Sequence, residues 1–177
     1  METQEIVLAS NNLGKVKEIS ELLDDTRFKV LPQSEFDVDE VEETGLTFVE
    51  NALLKARNAA RYSHHPVIAD DSGIEVLALE GRPGIYSARY AGIGASDEDN
   101  LNKLIEDIRP LSEADRKIRF VCVMVFLKHA EDPTPIISQG IWEGVAITDP
   151  RGQNGFGYDP MFFVPTHDCT SAELSPE

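Results

Sequence analysis

Two aspartates stand side by side directly after an apolar run in the segment PVIADDSGIEV, residues 66–76. Asp70 and Asp71 repel each other when ionised, and each carboxylate resists leaving water. The pattern therefore favours a place where a divalent cation, or a proton to be transferred, stabilises the pair. Magnesium prefers carboxylate and phosphate oxygens, and a carboxylate beside it can orient or deprotonate water. An Asp-rich turn with Gly73 at its bend is the structural alternative.

A second polar segment, Ser10-Asn-Asn-Leu-Gly-Lys15, lies between an apolar run and a helical pattern. Backbone N–H groups at a helix N-terminus bind anions, and Gly14 permits a close approach of the ligand. Lys15 adds a mobile cation for a phosphate. The spacing is not that of a Walker A loop, and ordinary helix capping with a surface lysine is the alternative.

A third polar segment, Glu42-Glu-Thr-Gly45, precedes a helix that carries Asn51 and Lys55 one turn apart on one face. Carboxylates at a helix entrance also favour the positive end of the helix dipole. Lys55 alone is typical of a solvated helix surface. Beside a metal site, a glutamate of this segment is instead a candidate ligand.

The fourth segment is glycine-rich and runs from Gly152 to Pro160, with the sequence GQNGFGYDP. Its glycines allow the backbone to approach a ligand, and Phe156 or Tyr158 offers a ring on which a base can stack. Asp159 could accept hydrogen bonds from a base edge or help to hold the shell of a metal. A plain hairpin loop is the alternative.

Strands and helices alternate around these segments. The apolar patterns predict strands at residues 5–10, 28–31, 66–69, from Ile74, and at 118–130, 136–148 and 161–164. Helices are predicted after Asn12, from the capping signature at Thr47 to about Tyr62, and from Ser96 to Pro110.

The alternation predicts an α/β fold with a mixed sheet. A strand at 66–69 that ends at the aspartates would put them at the carboxyl edge of the sheet, where open α/β sheets bind ligands. Residues 118–130 are apolar on both faces, which predicts a central strand covered on each side. Residues 136–148 are expected to be its antiparallel neighbour.

The composition sets outer limits on the function. The chain has 177 residues, two cysteines and a net charge of −16. Binding to a nucleic-acid polymer requires a basic surface and is not expected. We also expect no membrane span, no disulfide framework and no signal peptide. These features predict a single domain over residues 1–177 of a cytoplasmic protein.

Five segments together resemble the Ham1-type inosine triphosphate pyrophosphatases (dITP/XTP pyrophosphatases). They are VLASNNLGK, EETGLTFVENALLKA, IADDSGIEV, GRPGIYSARYAG and GFGYDPMFFVP, and their order and spacing agree with the family from residue 5 to about residue 174. The resemblance implies a magnesium-dependent homodimer, with manganese as a possible substitute. It implies hydrolysis of dITP, ITP and XTP to the monophosphate and pyrophosphate, and a two-lobed structure with a long mixed sheet flanked by helices and a cleft between the lobes.

The resemblance also implies roles for individual residues. Asp71 corresponds to a metal-linked general base, and Lys15 is the second candidate catalytic residue. The implied metal ligands are Asp71, Glu43 and Asp70. The implied substrate-binding residues are Ser10, Asn11, Asn12, Leu13, Gly14, Lys15, Lys55, Ser72, Phe156, Gly157, Tyr158 and Asp159.

The family pattern continues past AEL through a lysine and a Ser-His-Arg segment that reads the purine, whereas this sequence ends at Glu177. We therefore expect these 177 residues to bind triphosphate and metal but to discriminate poorly between ITP and ATP or GTP. A non-catalytic nucleotide-binding module, or a weakly active truncated form, is the alternative function.

Overall fold

A computed structural model of the protein describes residues 3–175. These residues form a seven-stranded sheet of order β2-β1-β3-β4-β5-β6-β7. Strand β1 is parallel to β2 and β3, whereas β6 is antiparallel to β5 and β7, so the sheet is mixed. The strands are β1 (Gln4–Leu8), β2 (Phe28–Pro32), β3 (Val67–Val76), β4 (Lys117–Leu127), β5 (Ile136–Ala146), β6 (Phe162–Val164) and β7 (Cys169–Thr170).

Three α-helices are present among the described residues: α1 (Leu13–Leu23), α2 (Phe48–Ser63) and α3 (Asp97–Ile108). Each begins where a polar cap precedes the apolar stripe. Asn12 caps α1, Thr47 caps α2, and Ser96 forms a reciprocal capping box with Asp99 at α3. None of the helices in this part of the chain is long and apolar enough to cross a membrane. The predicted α/β class is confirmed.

One predicted boundary is wrong, because the strand after Pro66 does not end at the aspartates. Strand β3 continues without interruption from Val67 to Val76, so Gly73 lies in a strand and not at a bend. Its parallel partner β1 pairs only with Val67 and Ile68. On its other side β3 has β4 as its neighbour in the sheet, and such pairing stabilises an extended conformation.

The long strand predicted at residues 118–130 is shorter and less covered than expected. From Phe120 to Leu127, strand β4 alternates between half-buried and buried residues, so one of its faces is the more accessible, although both are apolar there. Strand β5 is its neighbour in the sheet and is largely exposed. The connection between them is too short for a parallel crossover, which makes the pair antiparallel as predicted. The two-residue strand β7 was not predicted.

The chain divides into two compact units, in agreement with the two-lobed prediction. The first comprises Met1–Asp71 and Cys122–Gln139, and the second Ser72–Val121 and Gly140–Glu177. In the first unit, α2 has four fully buried alanines, whose small side chains permit close packing: Ala52, Ala56, Ala59 and Ala60. In the second, α3 supplies Leu104, Ile105 and Ile108 to a core that also contains Met161 and Phe162. The cleft and the single domain stay predictions.

Candidate active site

Two lysines and three carboxylates of the first unit form two ion-paired groups. Lys15, in the first turn of α1, pairs with Asp70 of β3. Lys55, in the middle of α2, places its Nζ 2.8 Å from Asp71 Oδ1 and 3.0 Å from Glu43 Oε1. These are the residues that the sequence predicted for phosphate and metal binding. The fold brings paired residues together from distant parts of the sequence: Lys15 and Asp70 are 55 positions apart.

Successive side chains of a strand point to opposite faces of its sheet. Asp70 and Asp71 are consecutive in β3, and each is paired with a lysine from a different helix. Both aspartates are buried. The like-charge repulsion that made the pair conspicuous in the sequence is thereby offset by two separate cations.

The Lys55 ammonium is stabilised in its charged form. Burial lowers its pKa, but Asp71, with Glu43 and Asp70, raises it by more, so the net shift is upward. For Asp71 the balance is reversed: burial, with the nearby Glu43 carboxylate, raises the pKa of its carboxyl by more than Lys55 and Lys15 lower it. A carboxylate whose pKa lies above its ordinary value is a better proton acceptor near neutral pH.

One of the two carboxylate oxygens of Asp71 is unsatisfied within the described part of the chain. Its Oδ1 accepts a hydrogen bond from Lys55, whereas its buried Oδ2 has no hydrogen-bond partner among residues 3–175. An unsatisfied buried acceptor costs free energy, so this atom is suited to a cation or to a proton donor that arrives with a ligand.

The donor chemistry fits magnesium. Within the described residues no three His, Cys, Asp or Glu side chains are grouped as a metal cage. Magnesium does not require such a cage, because it is bound by one or two carboxylates together with substrate phosphates and water. Asp71 and Glu43, which share Lys55 as a partner, supply two carboxylates of the required kind.

The polar segment before α1 is ordered by its own side chains. Asn12 Oδ1 accepts hydrogen bonds from the N–H groups of Gly14 at 2.9 Å and Lys15 at 3.2 Å. The Ser10 hydroxyl accepts from Asn12 N, and Asn11 accepts from Gln33. An anion bound here would compete with the Asn12 side chain for amides of the first turn. Leu13 enters this arrangement as the first residue of α1.

Asn51 is a site residue that the sequence singled out but did not commit to a role. It is fully buried, its Oδ1 accepts a hydrogen bond from Gly45 N at 2.8 Å, and its Nδ2 has no partner among the described residues. The sequence signal was the spacing of Asn51 and Lys55 on one helix face. The contact with Gly45 could not be read from that spacing.

The glycine-rich loop belongs to the second unit, where its two aromatic residues differ sharply. Phe156 is 41% exposed, whereas Tyr158 is 7% exposed and donates its hydroxyl to the Ser87 carbonyl at 2.7 Å. Burial raises the pKa of Tyr158 well above its ordinary value. Of the two, only Phe156 has an accessible ring. No pattern in the sequence indicated that the Ser87 carbonyl accepts this hydrogen bond from Tyr158.

Asp159 braces the loop from within. Its Oδ2 accepts from Phe156 N at 2.9 Å and its Oδ1 from the Ser171 hydroxyl at 2.8 Å. Burial raises the pKa of this carboxyl, although both hydrogen bonds lower it. Gly157 N donates to Asp97 Oδ2. The half-buried Ser72 follows Asp71 in β3, and its contact with substrate stays a prediction.

Comparison with known proteins identifies extensive similarity. A sequence profile described as the Ham1 family matches residues 6–177. The dITP/XTP pyrophosphatase of Vibrio parahaemolyticus serotype O3:K6 is 58% identical over 173 residues, which is 98% of this chain and 86% of the relative. The dITP/XTP pyrophosphatase of Escherichia coli (strain K12) is 53% identical over 174 residues, or 98% of this chain and 88% of the relative.

Solved structures show the same fold. A HAM1 protein from Coxiella burnetii superimposes with a TM-score of 0.91 at 49% identity, covering 98% of this chain and 88% of the other. A nucleoside-triphosphatase / dITP/XTP pyrophosphatase from Mycobacterium abscessus gives a TM-score of 0.80 at 34% identity with the same coverage.

Proposed function

The chain belongs to the Ham1 family, and on that premise we propose that it hydrolyses dITP, ITP and XTP to the nucleoside monophosphate and pyrophosphate. The observation that carries the proposal is the pair of lysine–carboxylate groups in the first unit, with an unsatisfied buried oxygen on Asp71. Relatives more than half identical over nearly the whole chain carry the name dITP/XTP pyrophosphatase, which supports this substrate class.

In the proposed reaction, Lys15 and Lys55 bind the triphosphate. Each exchanges a carboxylate partner for phosphate oxygens, so the cations that stabilise the resting protein also neutralise the substrate. The first turn of α1, with Ser10 and Asn12, contributes hydroxyl and amide donors. Positioning and charge neutralisation supply most of the rate in reactions of this class.

Asp71 is the proposed general base. Water attacks the α-phosphorus, its proton passes to Asp71 Oδ2, and the bond from the α-phosphorus to the bridging oxygen breaks. Pyrophosphate leaves with that oxygen, and the monophosphate retains the oxygen of the water. Magnesium or manganese, held by Asp71 and Glu43 with Asp70 nearby, would supply charge neutralisation on the phosphates and lower the pKa of bound water.

The nucleoside is assigned to the glycine-rich loop. The exposed ring of Phe156 is the proposed stacking surface for the purine, while Tyr158 and Asp159 maintain the loop. Stacking alone tolerates every base.

Three further features belong to the proposal. The protein acts in the cytoplasm on the free nucleotide pool, it does not bind nucleic-acid polymers, and it is a homodimer. Light scattering on the purified chain tests the dimer, which would have about twice the mass of the 19.6 kDa protomer.

The test of the activity is pyrophosphate release from dITP, ITP, XTP, ATP and GTP, measured with magnesium and with excess chelator. We expect turnover of dITP, ITP and XTP when metal is present and none with excess chelator. Because stacking alone tolerates every base, we also expect turnover of ATP and GTP in the presence of metal. Nucleotide binding without turnover would contradict the proposal and favour a non-catalytic binding module.

A further inference from the structure

We propose that Asn51 is a positioning residue that holds Glu43 beside Lys55 by fastening residues 39–46, here called the Glu43 loop, to α2. The inference rests on the proposed function in taking Glu43 as a metal-holding carboxylate. Glu43 itself lies in a segment without helix or strand, so its position depends on what anchors that segment.

One end of the Glu43 loop is anchored at the start of α2. Gly45 N donates to Asn51 Oδ1 at 2.8 Å, and Leu46 N donates to Glu50 Oε2 at 2.9 Å. The loop approaches the helix closely there, since a Cβ on Gly45 would lie 2.6 Å from Glu50 Cβ and 2.7 Å from Asn51 Oδ1. Because Gly45 is only two residues from Glu43, fixing Gly45 against the helix also restricts the position of the Glu43 carboxylate.

The other end of the Glu43 loop is anchored about one and two helical turns beyond Lys55. Asn58 Nδ2 donates to the Asp39 carbonyl at 2.7 Å, and the Tyr62 hydroxyl donates to Asp39 Oδ2 at 2.7 Å. Side chains of a single helix therefore bind the loop on both sides of Glu43. The same helix carries Lys55, the cation that Glu43 contacts.

Asn51 is the anchor that matters most, because it is fully buried and the Glu50 and Asn58 contacts are exposed. Water can replace a lost exposed hydrogen bond more readily than the partly buried bond from Gly45 N to the buried Asn51 Oδ1. The unpaired Nδ2 of Asn51 costs free energy, and an apolar side chain would avoid that cost. The Asn51 side chain nevertheless provides Oδ1 as the hydrogen-bond acceptor for Gly45 N, which an apolar side chain could not do.

The experiment measures Mn²⁺ binding to the whole protein, without nucleotide, from the loss of the free-ion electron paramagnetic resonance signal. We expect Asn51→Ala to raise the dissociation constant about 10-fold, the usual effect of removing a group that orients a metal ligand. Gly45→Ala should act similarly by displacing the loop while leaving Asn51 in place, which covers the case in which Asn51→Ala does not fold. Asn58→Ala is the matched control and should leave binding unchanged, since Tyr62 still holds Asp39.

A double-mutant cycle with Glu43→Gln separates positioning from a general structural effect. If Asn51 acts through Glu43, adding Asn51→Ala to Glu43→Gln should weaken Mn²⁺ binding no further. Additive losses, unchanged binding in both Asn51→Ala and Gly45→Ala, or a parent protein that binds no Mn²⁺ would overturn the inference. A parent protein that binds Mn²⁺ and releases no pyrophosphate from ITP would overturn the proposed function alone.

Discussion

At the scale of single residues, the candidate site is a set of charges that are already paired before substrate arrives. Lys15 and Lys55 are each held against carboxylates and are largely shielded from water. A triphosphate therefore gains less from each lysine than a free cation would give, because it must replace a carboxylate. In return the cations are preorganised, so little side-chain entropy is lost on binding.

Asp71→Asn should lower turnover of ITP by about 100-fold or more, the scale expected for a lost general base. The amide cannot take the proton of the attacking water, although it retains the shape of the side chain. Steady-state kinetics with pyrophosphate detection measures the effect, and circular dichroism verifies the fold. Near-normal turnover would exclude Asp71 as the base.

Lys55→Ala should raise KM for ITP about 10-fold and also lower the free energy of unfolding by about 1–3 kcal/mol. Stability is lost because Asp71 and Glu43 would remain largely buried without their shared cation. The expected loss is smaller than for a fully buried pair, because the Lys55 side chain is about one-fifth exposed and solvent screens the interaction. Urea unfolding and steady-state kinetics provide the two readings. Lys17→Ala is the control, since its pair with Glu21 is long and exposed. An unchanged KM in Lys55→Ala would place the phosphate elsewhere.

At the scale of elements, three pieces of local structure position these residues. Strand β3 carries both aspartates, α2 carries Lys55 and anchors the Glu43 loop, and the first turn of α1 carries Lys15. In the second unit, the glycine-rich loop presents Phe156. Substitutions that keep every charge but disturb these elements should therefore alter binding.

Gly155→Ala tests the glycine-rich loop. Gly155 has φ +74°, and a Cβ there would collide with the carboxylate of Asp159. Displacing this carboxylate would break its hydrogen bonds to Phe156 N and Ser171, a loss of about 1–2 kcal/mol, so we expect KM for ITP to rise about 10-fold with a smaller change in kcat. Gly157→Ala is the matched control, because φ is +60° but the space around its Cβ is open. Equal effects in the two variants would exclude the Asp159 contact as the cause.

The turn between β4 and β5 gives a pH-dependent prediction for stability. Asp132 accepts hydrogen bonds from Lys128 N at 3.0 Å and Thr134 N at 2.9 Å, and these bonds lower the pKa of its carboxyl. A carboxyl whose pKa is lower in the folded state than in the unfolded state stabilises the protein at pH values above the unfolded-state pKa. This contribution is lost as the pH falls through the lower, folded-state pKa.

Asp132→Asn should therefore be less stable than the parent protein at pH 7 and pH 5, with a gap that narrows below about pH 4. Urea unfolding midpoints of both proteins at pH 7, 5, 4 and 3 measure the gap. A gap that does not depend on pH would contradict the role assigned to the Asp132 carboxylate.

The elements differ in how far the sequence predicts them. The helices were predicted because their signals are local: Thr47 and Ser96 cap them, and the apolar residues repeat at a helical period. Strand β3 was cut short because its continuation depends on pairing with β4, which lies more than 40 residues away in the sequence. Asp-Asp-Ser-Gly is a turn signal locally, and tertiary pairing overrides it.

The site was predicted in its residue types and not in its contacts. Motif resemblance identified Lys15, Lys55, Glu43, Asp70 and Asp71, but no sequence pattern assigned each aspartate its own lysine. Tyr158 is buried in the core of the second unit and bonds to Ser87, a residue 71 positions away, whereas Phe156 is exposed. Such long-range contacts lie outside what spacing can predict.

At the scale of the whole molecule, the net charge of −16 opposes the approach of any polyanion. A nucleic-acid polymer needs an extended basic surface, whereas a nucleoside triphosphate needs only a few cations at one point. Two lysines, Lys15 and Lys55, lie against carboxylates in the first unit of this acidic chain. These two cations are consistent with a small phosphorylated substrate. The proposed function is defined by which bond of that substrate is broken, and by which group.

The most direct test is the hydrolysis of ITP with magnesium in ¹⁸O-labelled water, for the parent protein and for Asp71→Asn. The proposed mechanism predicts equimolar IMP and pyrophosphate, with one ¹⁸O in the phosphate of IMP and none in pyrophosphate, and loss of both products in Asp71→Asn. Label in pyrophosphate, release of inorganic phosphate, or undiminished labelling of IMP by Asp71→Asn would contradict it.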